Sequence, residues 1–389
     1  VPRKSRIYYQ GRFFNYPIEF YDTFSNLGII ESLLILLSYI RMQFRPYSKA
    51  ETFEQWVSNR FGRRLYKIFF KAYTEKVWGI PCDKIQASWA AQRIKGLSLV
   101  TVLYNALLGI QKPKSLINEF YYPVRGAGMM WRRFQEEIEA GGGLVRFNSE
   151  IIRLRNQNGV IKSVTIQSDG EKMVEIPVRH LISSMAINRL VALLDPEVPG
   201  EVLEAAKKLA YRALIVVGLI VDKKDLFPDQ WIYVHNPDEK VGRIQNFKNW
   251  STAMVPDPQK TSVGMEYFCN NGDEDWARSD VEMISMASRE LSELGFAEAD
   301  DVIDGFVMRQ ANAYPIYTRE YNEDLKVIRD FLGTINNLET IGRNGMHRYN
   351  NMDHSMLTGM MAAQNVSGEK HDNWAVNEDQ KYLEEDQEA

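Results

Sequence analysis

Apolar positions in the first third of the chain recur mostly at helical spacing. The run Ile29–Ile40 (Ile-Ile-Glu-Ser-Leu-Leu-Ile-Leu-Leu-Ser-Tyr-Ile) is apolar almost throughout, carries Glu31, and meets Arg41 and Arg45. It falls well short of the ~20 residues that a membrane span needs, so it reads as a core helix or an interfacial one. Ser48-Lys-Ala-Glu51 has the form of a capping box, and Phe53, Trp56, Val57 and Phe61 follow at helical spacing. After Gly62 the pattern resumes through Leu65, Ile68, Phe69, Ala72, Tyr73 and Val77, with Arg60, Arg63, Arg64 and Lys67 on the solvated side.

From Tyr122 the period changes. Arg125-Gly-Ala-Gly128 predicts a loop, Met129–Ala140 a helix, and Gly141–Gly143 its stop. Strands are expected at Leu144–Asn148, Glu150–Arg155 and Val160–Gln167, the last two joined by an Asn158-Gly159 hairpin turn. Another strand is expected near Met173, and His180–Met185 reads as a buried strand leading into a helix. Further strands are predicted at Arg212–Val221, Trp231–Val234, Gly242–Asn246, Val263–Cys269 and Val302–Arg309, with a helix near 280–294. A mixed sheet under a helical cover follows. A helix over 319–332, a strand ending at Gly342-Arg343 and a helix from near Asp353 complete the pattern, before an acidic tail at 379–389.

Composition narrows the function classes. The 389 residues carry 47 Lys+Arg against 51 Asp+Glu, a net charge of −4. That balance gives no electrostatic footprint for nucleic acid. Two cysteines, Cys82 and Cys269, are too few for a disulfide framework and fit a cytoplasmic protein. The chain opens Val1-Pro-Arg-Lys4, without Met or signal peptide, and reads as a protein entered partway through.

Little chemistry stands out from the residues alone. No nucleophile elbow, Walker A loop, HExxH or CxxC occurs. The five histidines do not cluster as metal ligands, and His235, His347 and His354 suit surface or capping roles. The glycines of 126–128 do not complete a dinucleotide fingerprint, since position 131 is Trp and no strand precedes them. The unusual stretch is Thr340–Met356, in which Gly342-Arg343 leads through a polar loop to a helix that Asn351 or Asp353 can cap. Such a helix start suits a phosphate or an electron-rich ring edge, although a plain capped connection would look the same.

That stretch resembles the C-terminal flavin motif of UDP-galactopyranose mutases and their relatives in the amine oxidase and protoporphyrinogen oxidase superfamily, through Gly342-Arg343 and Asp353-His354-Ser355. A second block, Tyr73-Thr-Glu-Lys-Val-Trp-Gly79 with Pro81 and Arg93, is similar to the mutase block around the uridine pocket. A third, Tyr122-Pro123 through Gly126, Gly128 and Gly141–Gly143, looks like the superfamily's return to its flavin domain.

The resemblance implies an α/β protein: a discontinuous, Rossmann-like FAD-binding domain, a mixed-sheet substrate domain and a helical insert. Residues 1–120 would form the insert and a substrate-pocket segment, 121–190 and 336–378 the parts of the FAD domain, and 191–335 the substrate domain. It implies FAD as cofactor, with Gly342, Arg343, Asn350, Asn351, Met352, Asp353, His354 and Ser355 against it. The implied substrate is a nucleotide-diphosphate sugar, isomerised for surface-glycan synthesis without net redox change. The flavin would do the covalent work while the protein holds the diphosphate. Tyr233, Arg243, Tyr314, Arg343 and Tyr349 match the mutases' diphosphate-binding positions, and arginine forks with neutral phenols suit phosphate oxygens. Tyr16, Thr74, Trp78 and Arg93 fall on nucleotide-side positions. Glu19 stands where the eukaryotic mutases carry Gln. The strand–glycine turn–helix with which the superfamily opens has no counterpart in the chain, which implies weakened FAD binding and exposed apolar faces. Relatives with the same flavin motif that remove hydride from an amine or a porphyrinogen-like ring give one alternative, a net oxidoreductase, and an inactive, N-terminally truncated fragment is the other.

Overall fold

The computed structural model describes residues 1–16, 18, 20–87, 119–168, 173–196, 198–318 and 320–377. The chain divides into two compact units. Val1–Gly143 with Ala213–Ala311 form the first, and Leu144–Arg212 with Asn312–Ala389 the second.

The first unit is organised on a seven-stranded mixed sheet. Its longest pairing joins the Tyr211–Val221 strand antiparallel with Thr261–Cys269. Ala213, Ile215, Val217, Leu219 and Val221 alternate into a core that is fully closed to solvent, against Met283, Ala287 and Leu291 of the Asp280–Glu293 helix. The period-two pattern of the strand and the helical pattern above it bury the same face. On the strands Trp231–Val234 and Arg243–Asn246 the opposite face carries Trp231, Tyr233, Arg243 and Gln245.

Short strands Arg243–Asn246 and Trp231–Val234 extend the sheet, followed by an N-terminal hairpin, Ser5–Tyr9 and Arg12–Asn15. That hairpin lies where helical spacing alone was legible. It is held in place by long-range pairing, with Ser5–Tyr8 parallel to Trp231–Val234.

Three local expectations are corrected. The helix cap ahead of Phe53 is Thr52 with Gln55, a capping box in which Thr52 Oγ1 accepts from Gln55 N at 3.4 Å, and not the Ser48–Glu51 pair. Residues 144–148 form no strand. The Ile29–Phe44 helix is no core helix: only Ile35 and Met42 are buried, whereas Ile29, Ile30, Leu37 and Phe44 are 61–81% exposed. The Gly128–Ala140 helix also buries none of its residues and exposes Met129, Trp131, Phe134 and Ile138.

In the second unit the Ser149–Gln157 and Val160–Ser168 strands form the expected hairpin, with Asn158 at φ 53° and Gly159 at φ 71°, as a type I′ turn requires. Leu154 and Ile161 meet Ile187, Leu190, Val202 and Ile328 in its core. Asn337 fastens this hairpin: its Oδ1 accepts from Ile161 N at 2.8 Å, and its Nδ2 donates to Ile161 O and Arg179 O at 2.8 Å each. The Leu181–Ser183 and Leu338–Thr340 strands pair in parallel, and the chain then enters the Gly342–Gly345 turn of helix and the Met352–Val366 helix. The expected acidic tail at 379–389 lies outside the described residues. Among those described, no helix is long and apolar enough to cross a membrane, and no group of three or more His, Cys, Asp or Glu could hold a metal ion.

Candidate functional site

In the first unit, strand register builds one row of polar side chains. Tyr233 pairs with Arg243 on the next strand, and Arg243 with Glu266 on the one after. Directly opposed residues share a face, so the three side chains stand side by side. Arg243 donates to Glu266 Oε2 from Nε at 2.9 Å and from Nη2 at 2.6 Å. Gln245 donates to the other oxygen of the same carboxylate. Glu266 is 2% exposed and Arg243 28%. Burial works against the charge of Arg243, but Glu266, Tyr73 and Tyr233 outweigh it and hold its pKa well above the ordinary arginine value.

Aromatic rings surround this row. Tyr16 lies 4.9 Å from Tyr233 by ring centroids, and Tyr73 meets it edge-on at 5.5 Å. Tyr73 also stacks on His235 at 4.6 Å. His235 is buried, not superficial as its sequence context suggested, and burial with Lys76 nearby pushes its imidazole down to about 3. Lys76, one turn from Tyr73, donates from Nζ to the carbonyls of Val234, Asn236 and Val241 at 3.2, 2.9 and 3.0 Å. It therefore ties the Ala72–Trp78 helix to the turn joining the strands of Tyr233 and Arg243. Thr74 and Trp78 lie on this helix, 6% and 4% exposed.

Beside Tyr233, Trp231 stacks on Trp250 at 5.3 Å, with the Arg3 guanidinium 5.2 Å above its ring. Arg3 Nε and the indole N–H groups of Trp231 and Trp250 are buried without an acceptor. Three such donors in one aromatic cluster are unusual, because an unmade buried hydrogen bond costs about 1–3 kcal/mol. Glu266, Lys76, Arg3 and this tryptophan pair were missed from the sequence. Trp231 had a usable signal, since it lies two residues before Tyr233 and hence on the same strand face.

The second unit holds the other arginine. Tyr314 and Tyr349 lie parallel, 12° between planes and 5.6 Å apart, and the Arg343 guanidinium sits 5.2 and 4.6 Å from their centroids. Arg343 donates from Nε to Asn350 O at 2.9 Å and from Nη1 to Ala313 O at 3.1 Å. Gly342 ahead of it takes φ 72° and donates its N–H to Thr358 Oγ1 at 3.0 Å. A Cβ on Gly345 would stand 2.7 Å from Ser183 O, so the chain passes hard against the Leu181–Ser183 strand.

The Met352–Val366 helix begins with Asn351 as its cap, and Asn351 N donates to His354 Nδ1 at 3.3 Å. His354 Nε2 is buried without a partner. Asn350 is 1% exposed, with Oδ1 accepting from Asn377 at 3.0 Å. Met352 is 48% exposed, and Asp353 and Ser355 are half-buried in the first turn. A buried ring nitrogen without a partner and the amides of a helix start suit a polar ring edge, so these residues fit the ring end of a flavin. The structure thus brings Tyr16, Tyr233 and Arg243 together in one unit. In the other it joins Tyr314, Arg343 and Tyr349 and places the Gly342–Ser355 residues in sequence behind them. Glu19 and Arg93 lie outside the described residues.

Comparison with known proteins identifies the family. The flavin-containing amine oxidoreductase family matches residues 32–367. Among solved structures, reduced UDP-galactopyranose mutase superposes with a TM-score of 0.82 at 21% identity, covering 97% of this chain and 80% of that one. A candidate protoporphyrinogen oxidase from Exiguobacterium sp. 255-15 gives 0.64 at 13%, covering 88% and 76%. Putrescine oxidase bound to putrescine gives 0.54 at 12%, covering 94% and 82%. At these identities the superpositions establish the fold. The chain belongs to the flavin-containing amine oxidoreductase family, its fold is the mixed α/β fold of that family, and its cofactor is FAD.

Proposed function

We propose that the chain acts on a nucleotide-diphosphate sugar as a mutase-type flavoenzyme, isomerising the sugar ring without net oxidation. The observation that carries this reading is the Tyr314–Arg343–Tyr349 set of the second unit, a guanidinium held against two parallel phenol rings. A diphosphate offers two phosphoryl groups to such donors, whereas an amine substrate offers none. Bound and reduced, FAD supplies the electron pair that the anomeric carbon needs when the diphosphate leaves. Arg243 and Arg343 balance the charge of that leaving group, and the phenols donate hydrogen bonds without adding charge. Glu266 aims Arg243. The unpartnered N–H groups of Arg3, Trp231 and Trp250 offer donors to ligand oxygens.

The test is conversion of UDP-galactopyranose by the full chain with added FAD and dithionite. Turnover that continues after one initial reduction, with no oxygen uptake, supports the mutase reading. The second reading, net hydride removal, draws on the likeness to putrescine oxidase. It requires an acceptor to be consumed in proportion to product, which an oxygen electrode measures directly.

A further inference from the structure

The connection between the Trp231–Val234 and Arg243–Asn246 strands is bonded along its backbone by two side chains of opposite charge, each from a different helix. From the Ala72–Trp78 helix, Lys76 Nζ donates to the carbonyls of Val234, Asn236 and Val241 at 3.2, 2.9 and 3.0 Å. From the Asp280–Glu293 helix, Glu290 accepts from Lys240 N at 2.6 Å and Val241 N at 3.1 Å. The Lys76 stem runs beside Gly242, where a Cβ would stand 3.6 Å from its Cδ. Gly242 directly precedes Arg243, and its carbonyl accepts from Val234 N at 2.9 Å. The ammonium therefore holds carbonyls within two residues of both members of the Tyr233–Arg243 pair. Its three N–H groups match three carbonyls. A neutral amine has two N–H groups and a lone pair, which a carbonyl oxygen repels.

We propose that Lys76 is a positioning residue: its three bonds hold this connection, and through it the cross-strand pair Tyr233–Arg243, in the geometry that serves the leaving diphosphate. The proposal rests on the diphosphate reading of Arg243 given above. Lys76 acts through Arg243 and touches no ligand itself. The same helix sets Tyr73 edge-on to Tyr233 at 5.5 Å and stacks it on His235 at 4.6 Å, so the helix that the ammonium anchors also flanks the pair. The role needs the charged form. Burial pulls the ammonium from the ordinary 10.5 down to about 8, against Glu239 and Glu290, which hold it up. The titratable groups around it are Glu239 in the connection, Glu290 from the helix, His235 and Tyr73 in their stack, and Tyr267 beside Glu290. Burial raises Glu290 and keeps Tyr267 well above the ordinary phenol, while His235, lowered to about 3, is already neutral. Between about pH 8 and 10.5 the native chain gives up a proton that the unfolded chain keeps, so this group makes stability rise with pH there. A loss of turnover in that window is therefore not unfolding driven by Lys76.

Turnover of UDP-galactopyranose by the full chain with reduced FAD should fall about tenfold from about pH 7 to about pH 9, with its midpoint near 8, while KM changes less than about twofold. Lys76→Met keeps the stem and removes all three donors. It should show the lower turnover already at about pH 7 and lose the alkaline limb. In an Arg243→Lys chain the same change should cost less than about twofold, because the group it positions is already gone. A wild-type profile flat across this range overturns the proposal. So does a limb that survives Lys76→Met, or an undiminished loss in the Arg243→Lys chain. Amide hydrogen exchange reads the connection without any ligand. Relative to the intrinsic rate, exchange at 235–242 should rise about tenfold above about pH 8 while the Tyr211–Val221 strand stays protected. No local rise overturns the positioning role, even if Lys76→Met fails to fold. A wild-type chain that shows this rise but never turns over UDP-galactopyranose keeps Lys76 as the anchor of the connection and sinks the diphosphate reading instead.

Discussion

Arg243 and Arg343 carry the same group and are held by opposite means. Arg243 stands in a cross-strand row on a sheet, matched by the buried carboxylate of Glu266. Arg343 follows a left-handed glycine in a loop, held by the carbonyls of Ala313 and Asn350 and by two tyrosine faces. A carboxylate fixes a guanidinium's direction and cancels much of its field. Carbonyls and ring faces fix direction and leave the charge whole. Arg343 should therefore supply most of the attraction for an anion, and Arg243 most of the geometry.

The sharpest way to break this comparison is to replace each arginine. Arg243→Lys and Arg343→Lys should each lower turnover by about 10³-fold, because a point charge cannot reproduce the planar fork. If both leave UDP-galactopyranose conversion intact, the diphosphate assignment is wrong. Arg343→Gln should cost more UDP affinity than Arg243→Gln and flatten its salt dependence, read by calorimetry at two ionic strengths. Equal effects would sink the division of labour.

Acid sensitivity compares the units themselves. Burial lowers His235 in the first unit to about 3 and His347 in the second to about 4, from an ordinary 6.5. Between the ordinary value and these, the unfolded chain binds a proton that the native imidazole refuses. Stability is thus full above about pH 6.5 and falls as the pH drops. His235→Phe should remove about 3 kcal/mol of the loss between pH 6.5 and 4, and His347→Asn somewhat less, measured by urea unfolding across that range.

Glu266→Gln should destabilise by about 2 kcal/mol, toward the lower end for a broken ion pair because Arg243 is partly exposed. Turnover should fall while UDP affinity holds, since Arg243 loses its aim but not its charge. The smallest effect is expected at Gly342→Ala, about 1–2 kcal/mol in the same denaturation assay, from forcing a Cβ into φ 72°. The sheet-borne set has no residue with that vulnerability.

Much of the fold was legible, and for definite reasons. A continuous apolar run marked Tyr211–Val221, and Asn158-Gly159 marked the hairpin of Ser149–Gln157 and Val160–Ser168, because both signals are local. The arginines and tyrosines were singled out through family resemblance. Glu266 and Lys76 were not. They act on residues 23 and 158–165 positions away, and no local pattern records such a contact. His235 and His347 looked superficial because burial of a lone polar residue is set by what packs over it.

The Ile29–Phe44 helix marks the boundary between the two kinds of information. Its sequence alone determined that it is an apolar helix and that it is too short to span a membrane. Only the tertiary structure decided which side faces inward. The neighbouring helix approaches through Gly62, where serines and the Glu31–Arg64 pair fit and branched side chains do not, so the apolar side is turned outward.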